Sequence, residues 1–475
     1  MIHGRDELIP EQKERLKQFV IGPGLLPGDG FAERIRLGDY TVGLFPGLRC
    51  HRVLEPEGRC IGLFLGHVFD YANRRRCEGD LRVDGLAGLD SLARARRLED
   101  FAFGFGGRWV FLHIDDIVQR IYLDADGCES LIYDPSACRA ASTTGLLLDD
   151  VQYAERFDAE LYEALGVSGA GWFPSGLTAH RGIRRLLCNH FLDLSTWRPR
   201  RHWPKADVQW TADPHGHYLR IAELVRLACE TIFAGHSASI TLTAGNESRL
   251  LLAACRDIAA DIEFITVNVP GAEMDVDIAA RLAARFGLRH RILPARRASP
   301  AEETAWRYAS SHCLTGMNMH YHPTIEPLRS KEYFLGGLGG EVARAWLWRP
   351  GDHETSQLDA GMLVSRLGMP VHPRVVEATE AWLESVRPFN ALTQLDLAYL
   401  ELRMSAWAFA QSYAQDAIVD HLHPMICREV YQLMLELPPE AKRQKRFIPE
   451  GVEALWPELL ELPINRYGDA RDRTA

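Results

Sequence analysis

The densest chemistry in the chain lies in Thr243-Ala244-Gly245-Asn246-Glu247-Ser248. Ala244 and Gly245 are small enough to let an anion approach the backbone. Thr243 and Ser248 bring hydroxyls, Glu247 brings a carboxylate able to act through magnesium, and Arg249 adds a cation. The segment follows an apolar run and precedes a helical pattern. It is therefore expected where free backbone N–H groups and the positive end of a helix dipole collect, a position that suits phosphate. An ordinary strand-to-helix turn with a hydrophilic cap accounts for the same residues. The loop is neither a Walker loop nor a G-x-G-x-x-G fingerprint.

Other polar groups are less specific. Lys442, Lys445 and Arg446 form a charged run near a helix start, a pattern that usually marks a solvated face. His320 and His322 are not spaced as helical i,i+4 ligands, and no cysteine is spaced for zinc. With His312, His421 and His423 they are expected in the core or a pocket. Gly104-Phe105-Gly106-Gly107 precedes a strand and is expected to form a hairpin. Trp306, Trp346, Trp348, Trp382 and Trp407 are expected in the core, with Trp346 and Trp348 lining a pocket.

These groups need elements to hold them. Ser237–Leu242, Glu263–Val267 and Arg289–Leu293 read as strands. Between them lie helical patterns from Ser248 to Ala260 and from Val276 to Phe286, the second stopped by Gly287. Strand and helix alternating at this spacing predict a parallel sheet with crossover helices. A further helix is expected from His217 to Ala234, and the chain from Ala301 reads as mainly helical. Residues before about 200 read as mostly β. Arg108–Ile114 is a buried strand, and Gln119–Leu123 is expected to form a hairpin through Asp124–Gly127 with Ser130–Tyr133. Helix follows at Asp149–Leu165, and Thr196–Pro204, rich in proline and arginine, is the linker candidate.

The six-residue loop resembles the pyrophosphate loop S-G-G-x-D-S of the asparagine-synthetase-type ATP pyrophosphatases. Phe264–Asn268 is similar to the strand end where that family's adenine and ribose lie, with Val267 at that end. Asp275–His290 resembles the family's next helix. Tyr333–Val342 resembles its second ATP-site loop, with Gly337, Gly339 and Gly340 as the tight backbone and Glu341 at the family's aspartate. Pro424–Lys442 resembles its late P-x-L…L-P-x-x-x-K region. Gly106–Phe111, Asp124–Gly127 and Gly176–His190 resemble the glutaminase-type domain and joining segment ahead of it. Ala244 and Glu247 depart from the family's glycine and aspartate.

The resemblance implies two domains. Residues 1–200 would be a glutaminase-like, Ntn-hydrolase-like αββα domain. Residues 201–475 would be an ATP pyrophosphatase domain, an adenine-nucleotide α-hydrolase-like parallel sheet with a large helical extension. It implies ATP and Mg2+ as cofactors, with the nucleotide on Thr243, Ala244, Gly245, Asn246, Glu247, Ser248, Arg249, Val267, Gly337, Gly339 and Gly340. Glu247 and Glu341 would hold the metal, and Lys445, Glu341 and Arg344 would be catalytic. The family's glutaminase needs a cysteine as the exposed first residue. Ile2 stands at that place and the nearest cysteine is Cys50, so the N-terminal domain is expected to be inactive.

Composition narrows the class. The 475 residues are 47% hydrophobic and 25% charged, as in ordinary folded proteins. Lys plus Arg is 54 and Asp plus Glu is 64, a net charge of −10, which argues against generic nucleic-acid binding. Ten cysteines without a C-x-x-C pair read as reduced thiols. Neither a signal peptide nor a membrane span is read from the sequence, so a cytoplasmic protein is expected. The expected function is an ATP-dependent amidoligase that adenylates a carboxylate, releases pyrophosphate and transfers the acyl group to an amine without glutamine hydrolysis. Its partners would be small-molecule or peptide carboxylates and amines, with a homodimer left open. The alternative is a catalytically degenerate synthetase-like protein that binds a nucleotide or a partner. Sulfur or tRNA modification is disfavoured by the missing cysteine pair and the acidic balance.

Overall fold

The computed structural model describes residues 17–24, 26, 30–169 and 171–473. Ile2 lies outside the described residues. Alternating apolar residues in the first half build two sheets, antiparallel except for one parallel pairing, Val53–Leu54 with Leu81–Arg82. One comprises β1 (Phe19–Pro23), β2 (Glu33–Leu37), β3 (Tyr40–Leu44), and the later β10 (Ile132–Asp134), β11 (Arg139–Ala141) and β12 (Arg184–Arg185). The other comprises β4 (Cys50–Leu54), β5 (Cys60–Asp70), β6 (Arg75–Arg76), β7 (Leu81–Arg82), β8 (Gly106–Ile114), β9 (Gln119–Leu123), β13 (His190–Asp193) and β14 (Arg198–Arg201).

Period-two alternation decides the packing. Phe19 and Ile21 of β1 join Val110 and Leu112 of β8 in one buried cluster between the sheets. Val20 points the other way, into a cluster with Tyr153 and Leu161. Those two residues sit on α2 (Asp150–Arg156) and α3 (Ala159–Ala164). Trp109 and Phe111 turn outward against Leu98 of α1 (Ser91–Phe103), whose start is capped by the Asp90 side chain accepting from Ala93 N–H. Each fully buried Leu, Ile or Phe contributes about 1.5–3 kcal/mol, so the alternation is strongly enforced.

Four local expectations fail here, each for a physical reason. β9 and β10 do not form a hairpin. The buried carboxylate of Asp124 accepts the N–H groups of Trp109, Asp126, Cys128 and Glu129, and the chain winds round it into the other sheet. Residues 104–107 join α1 to β8 rather than two strands, with Gly104 N–H closing onto the helix's last carbonyls. Helix over 149–165 breaks into α2 and α3 because Asp158 caps the second, accepting from Leu161 N–H. Thr196–Pro204 is not a linker. Arg198–Arg201 pairs with β13 as an edge strand, and Trp197 and Trp203 are buried.

The second half begins with α4 (Pro214–Phe233), then β15 (Ala238–Thr241), α5 (Asn246–Ala254), β16 (Glu263–Asn268), α6 (Glu273–Phe286) and β17 (Arg289–Pro294). Gly287 ends α6 in the left-handed conformation at φ +63°. β18 (Tyr333–Leu335) and β19 (Asp420–Leu422) complete a parallel sheet in the order β17-β16-β15-β18-β19. Helices supply most of the remaining chain. Among them a π-helical stretch, Tyr399–Met404, runs into Ser405–Gln415.

The two halves meet through buried charge. Arg108 of β8 donates through both terminal nitrogens to Asp416, through Nε to Glu129 at 3.2 Å, and through Nη1 to the His421 carbonyl at 3.1 Å. His67 Nε2 faces Asp420 at 3.1 Å, and Lys17 pairs with the same carboxylate. Among the described residues no helix is long and apolar enough to cross a membrane.

Candidate functional site

The chain leaves β15 toward β16 and β17 on one side, then returns to β18 and β19 on the other. In a parallel sheet that reversal opens a crevice at the strands' carboxyl ends, between β15 and β18, the usual ligand position. A cavity of about 280 Å³ lies there. Thr241, Thr243, Gly245, Glu247, Ser248 and Val267 line one side; Gly336, Gly337, Gln415, His421 and His423 line the other.

The 243–248 loop is ordered by its own side chains. Thr243 and Ser248 hydroxyls bond at 2.8 Å, and Gly245 N–H donates to Thr243 Oγ1 at 3.0 Å. Gly245 is the N-cap of α5, so the helix begins at Asn246, two residues earlier than its apolar pattern suggests. A glycine has no side chain to cap with, and none caps this helix. No side chain at the N-cap satisfies the first turn, and Glu247 in that turn suits the dipole. Ala244 N–H is already engaged, donating to Asp275 Oδ1 of α6 at 2.9 Å.

Arg249 is not at the phosphate position. It is fully buried, and its guanidinium donates to the carbonyls of Leu459, Leu462 and Pro463. Two residues after Glu247, roughly 200° round the helix, its side chain emerges on the face of α5 opposite Glu247 and clamps the C-terminal segment. Burial lowers its pKa to about 10.

The second glycine loop packs directly on Glu247. A Cβ on Gly337 would stand 2.6 Å from Glu247 Cβ, and one on Gly340 would stand 2.7 Å from Glu247 Oε1. Gly339 has φ +104°, a conformation that disfavours other residues. The glycines therefore bring Glu341 and Arg344 beside Glu247. Arg344 Nη2 pairs with Glu247 and lies 3.4 Å from Glu341 Oε1. Burial, then the neighbouring Glu341 charge, raises the Glu247 pKa to about 7 despite Arg344. Glu341 Oε2 is buried without a hydrogen-bond partner.

Two carboxylates meeting on one cation, one with an unused oxygen, are a donor set that magnesium takes together with phosphate oxygens. Glu247 and Glu341 fit that ion. Among the described residues no group of three or more His, Cys, Asp or Glu side chains is arranged for a metal.

Lys445 lines a second cavity, of about 570 Å³, with Arg344, Trp346, Trp348, Arg349 and Arg443. Trp346, 59% exposed, and Trp348 line this cavity, as the sequence led one to expect. Lys442 is buried and paired with Asp396, which removes it from any site chemistry. His421 and His423 are pocket residues. His320 bonds Glu303, and His322 bonds the Met319 carbonyl, both elsewhere. The structure thus unites Thr243, Gly245, Glu247, Ser248, Val267 and Gly337 on one cavity, with Gly340, Glu341 and Arg344 against Glu247, and connects Arg344 to Lys445 through the second cavity. Ala244 is buried behind the loop. Gln415 was not singled out by sequence, since nothing local marks a glutamine at a helix end; Asp275 was read as the start of the family-like helix, but its bond to the Ala244 amide was not.

A mixed α/β chain with a switch-point cavity is the class these features define. No protein-family model matches the chain, and no curated protein matches it. A solved structure, the glutamine phosphoribosylpyrophosphate (PRPP) amidotransferase from B. subtilis complexed with ADP and GMP, is distantly similar, with a TM-score of 0.20 and 9% identity. The similarity covers 61% of this chain and 62% of that one, so this chain spans less than two thirds of the relative's length.

Proposed function

We propose that the chain is an ATP-dependent amide-forming ligase of the asparagine-synthetase-like kind. The observation that carries this reading is the uncapped start of α5 at the switch point, facing the Glu247–Arg344–Glu341 cluster. On this reading the first half is a glutaminase-related αββα domain that hydrolyses no glutamine, and the second is the nucleotide α-hydrolase-like domain.

ATP lies with its adenosine toward Val267 and its phosphates toward the α5 amides. An oxygen of the substrate carboxylate attacks the α-phosphorus, and the bond to pyrophosphate breaks with its electron pair. An amine then attacks the acyl carbon, loses a proton, and AMP departs, leaving an amide. Arg344 and Lys445 receive the charge of the leaving pyrophosphate, so their contribution is electrostatic and positional. Magnesium, where held by Glu247 and Glu341, supplies further charge neutralisation. Acid and amine partners enter through the cavity beside Trp346 and Trp348.

Two observations favour a second reading, a nucleotide-binding protein without turnover. Asp275 already accepts a loop amide, and Arg344 already neutralises the carboxylates. Incubation with ATP, magnesium and paired acids and amines, followed by pyrophosphate release, separates the two. Release that disappears in Glu247→Ala supports the ligase. No release, with a thermal shift on adding AMP, supports binding alone. Absence of both pyrophosphate release and a thermal shift overturns the nucleotide site.

A further inference from the structure

A cavity of about 740 Å³ opens between the two halves of the chain, larger than either cavity described above and sharing no lining residue with them. Edge strands of both first-half sheets, β12 and β14, supply one wall. The helix Pro373–Val386 supplies the other. In a chain whose net charge is −10, five arginines line this cavity against one carboxylate, Glu377.

Three of the five arginines hold the walls together. Arg201 forks onto Glu401, both terminal nitrogens donating at 2.6 Å. Arg374 pairs with Asp158. Arg185 is buried and donates to the Ser405 carbonyl at 3.1 Å and the Ser405 hydroxyl at 3.2 Å. The other two are differently placed. Arg184 and Arg200 each precede one of these anchored arginines on an edge strand, and both are exposed. Arg184 ion-pairs with none of the described residues. Arg200 faces Asp193 at 3.7 Å, beyond hydrogen-bond reach. Each therefore keeps a planar fork of donors that matches an oxyanion.

Much of the remaining lining is apolar. Leu177, Leu187, Ala378 and Ala381 contribute, with Trp382, whose Nε1 is already spent on Glu401. A bare ion would leave that surface and most of the volume to water, whereas cavities of about 300–1,000 Å³ suit small organic molecules. Two guanidinium groups with capacity left, on one cavity with an apolar wall, match a doubly charged head on an apolar body. We propose that this cavity binds an organic phosphate, a monoester whose dianionic head is taken by Arg184 and Arg200 and whose apolar body lies against the helix Pro373–Val386. None of these residues belongs to the phosphate loop or the glycine loop, so the site is independent of the nucleotide reading.

The test titrates the whole chain by calorimetry at pH 8, where a phosphate monoester is a dianion. Phenyl phosphate is the probe; benzoate, phenol and inorganic phosphate are the controls. Phenyl phosphate is expected to bind about tenfold more tightly than phenol, with benzoate between them and inorganic phosphate weaker than phenyl phosphate. Arg184→Gln and Arg200→Gln are each expected to weaken phenyl phosphate about fivefold, as exposed charges do, and to leave phenol unchanged. Glu377→Gln is expected to tighten phenyl phosphate about twofold. Glu247→Ala, in the other cavity, is expected to leave it unaltered. Equal binding of phenyl phosphate and phenol by the unaltered chain overturns the proposal and needs no variant to fold. Equal binding of benzoate and phenyl phosphate overturns the doubly charged head. A preference that survives both arginine substitutions, or one lost in Glu247→Ala, places the anion elsewhere and overturns the site.

Discussion

The backbone N–H of Ala244 donates to the carboxylate of Asp275 at 2.9 Å, so an acidic side chain of α6 occupies the phosphate-facing loop from behind. Asp275→Asn keeps an oxygen for that bond and removes the charge. It is expected to leave the melting temperature nearly unchanged and to tighten pyrophosphate binding about fivefold, the effect of one partly screened charge, as read by calorimetry. Unchanged or weaker pyrophosphate binding would show that no anion approaches this loop.

Glu247 gives the site a pH dependence of known sign. Its folded pKa, about 7, stands above the ordinary carboxyl value of 4.5, so the folded state holds the proton more tightly than the unfolded chain. Its stabilising contribution is complete below about pH 4.5 and is lost as pH rises through 7. Glu247→Gln is expected to remove this component and flatten the fall in stability between pH 5 and 7 by roughly 1.4 kcal/mol per pH unit, measured by denaturant unfolding. An identical slope in the variant refutes the assignment.

Two neighbouring lysines are expected to behave differently. Lys442→Met strips the partner from buried Asp396 and is expected to destabilise the fold by about 3–5 kcal/mol. Lys445→Ala is expected to change stability by less than about 0.5 kcal/mol. If the ligase reading holds, it lowers pyrophosphate release by about 100-fold. Thermal melts and the release assay on both variants check the pair together.

Packing of the glycine loop on α5 is testable without any substrate. Gly337→Ala forces a methyl group to 2.6 Å from Glu247 Cβ and is expected to cost about 1–3 kcal/mol. Arg249→Met, by contrast, frees three carbonyls near residues 459–463 and is expected to accelerate hydrogen exchange there while leaving pyrophosphate affinity unaltered. Weakened affinity in Arg249→Met would return that residue to the phosphate site.

Legibility followed the physics of each segment. The β15–β17 unit is readable because Ile240, Phe264 and Ile265 sit in short apolar runs and Gly287 stops the helix between them. β19 is not, because Asp420 and His421 are polar residues held in a strand by partners far away in sequence. The β9–β10 hairpin failed because the turn residue Asp124 spends its carboxylate on four backbone amides, a task its neighbours do not disclose. Glu247, Glu341 and Arg344 were legible as chemistry. Their mutual pairing was not, because it depends on two loops nearly a hundred residues apart being flush at Gly337 and Gly340. Arg249 was legible as a cation but not as an inward-facing one, since helix direction decides that.

The Arg108–Asp416 pair has a consequence for dissecting the chain. Each half owns one side of a buried bidentate contact, at 3% and 5% exposure. A chain cut between Arg201 and Pro214 would leave both fragments with an ion facing a dry surface. Such fragments are expected to seek each other in solution, which makes this junction a natural point for split-protein complementation.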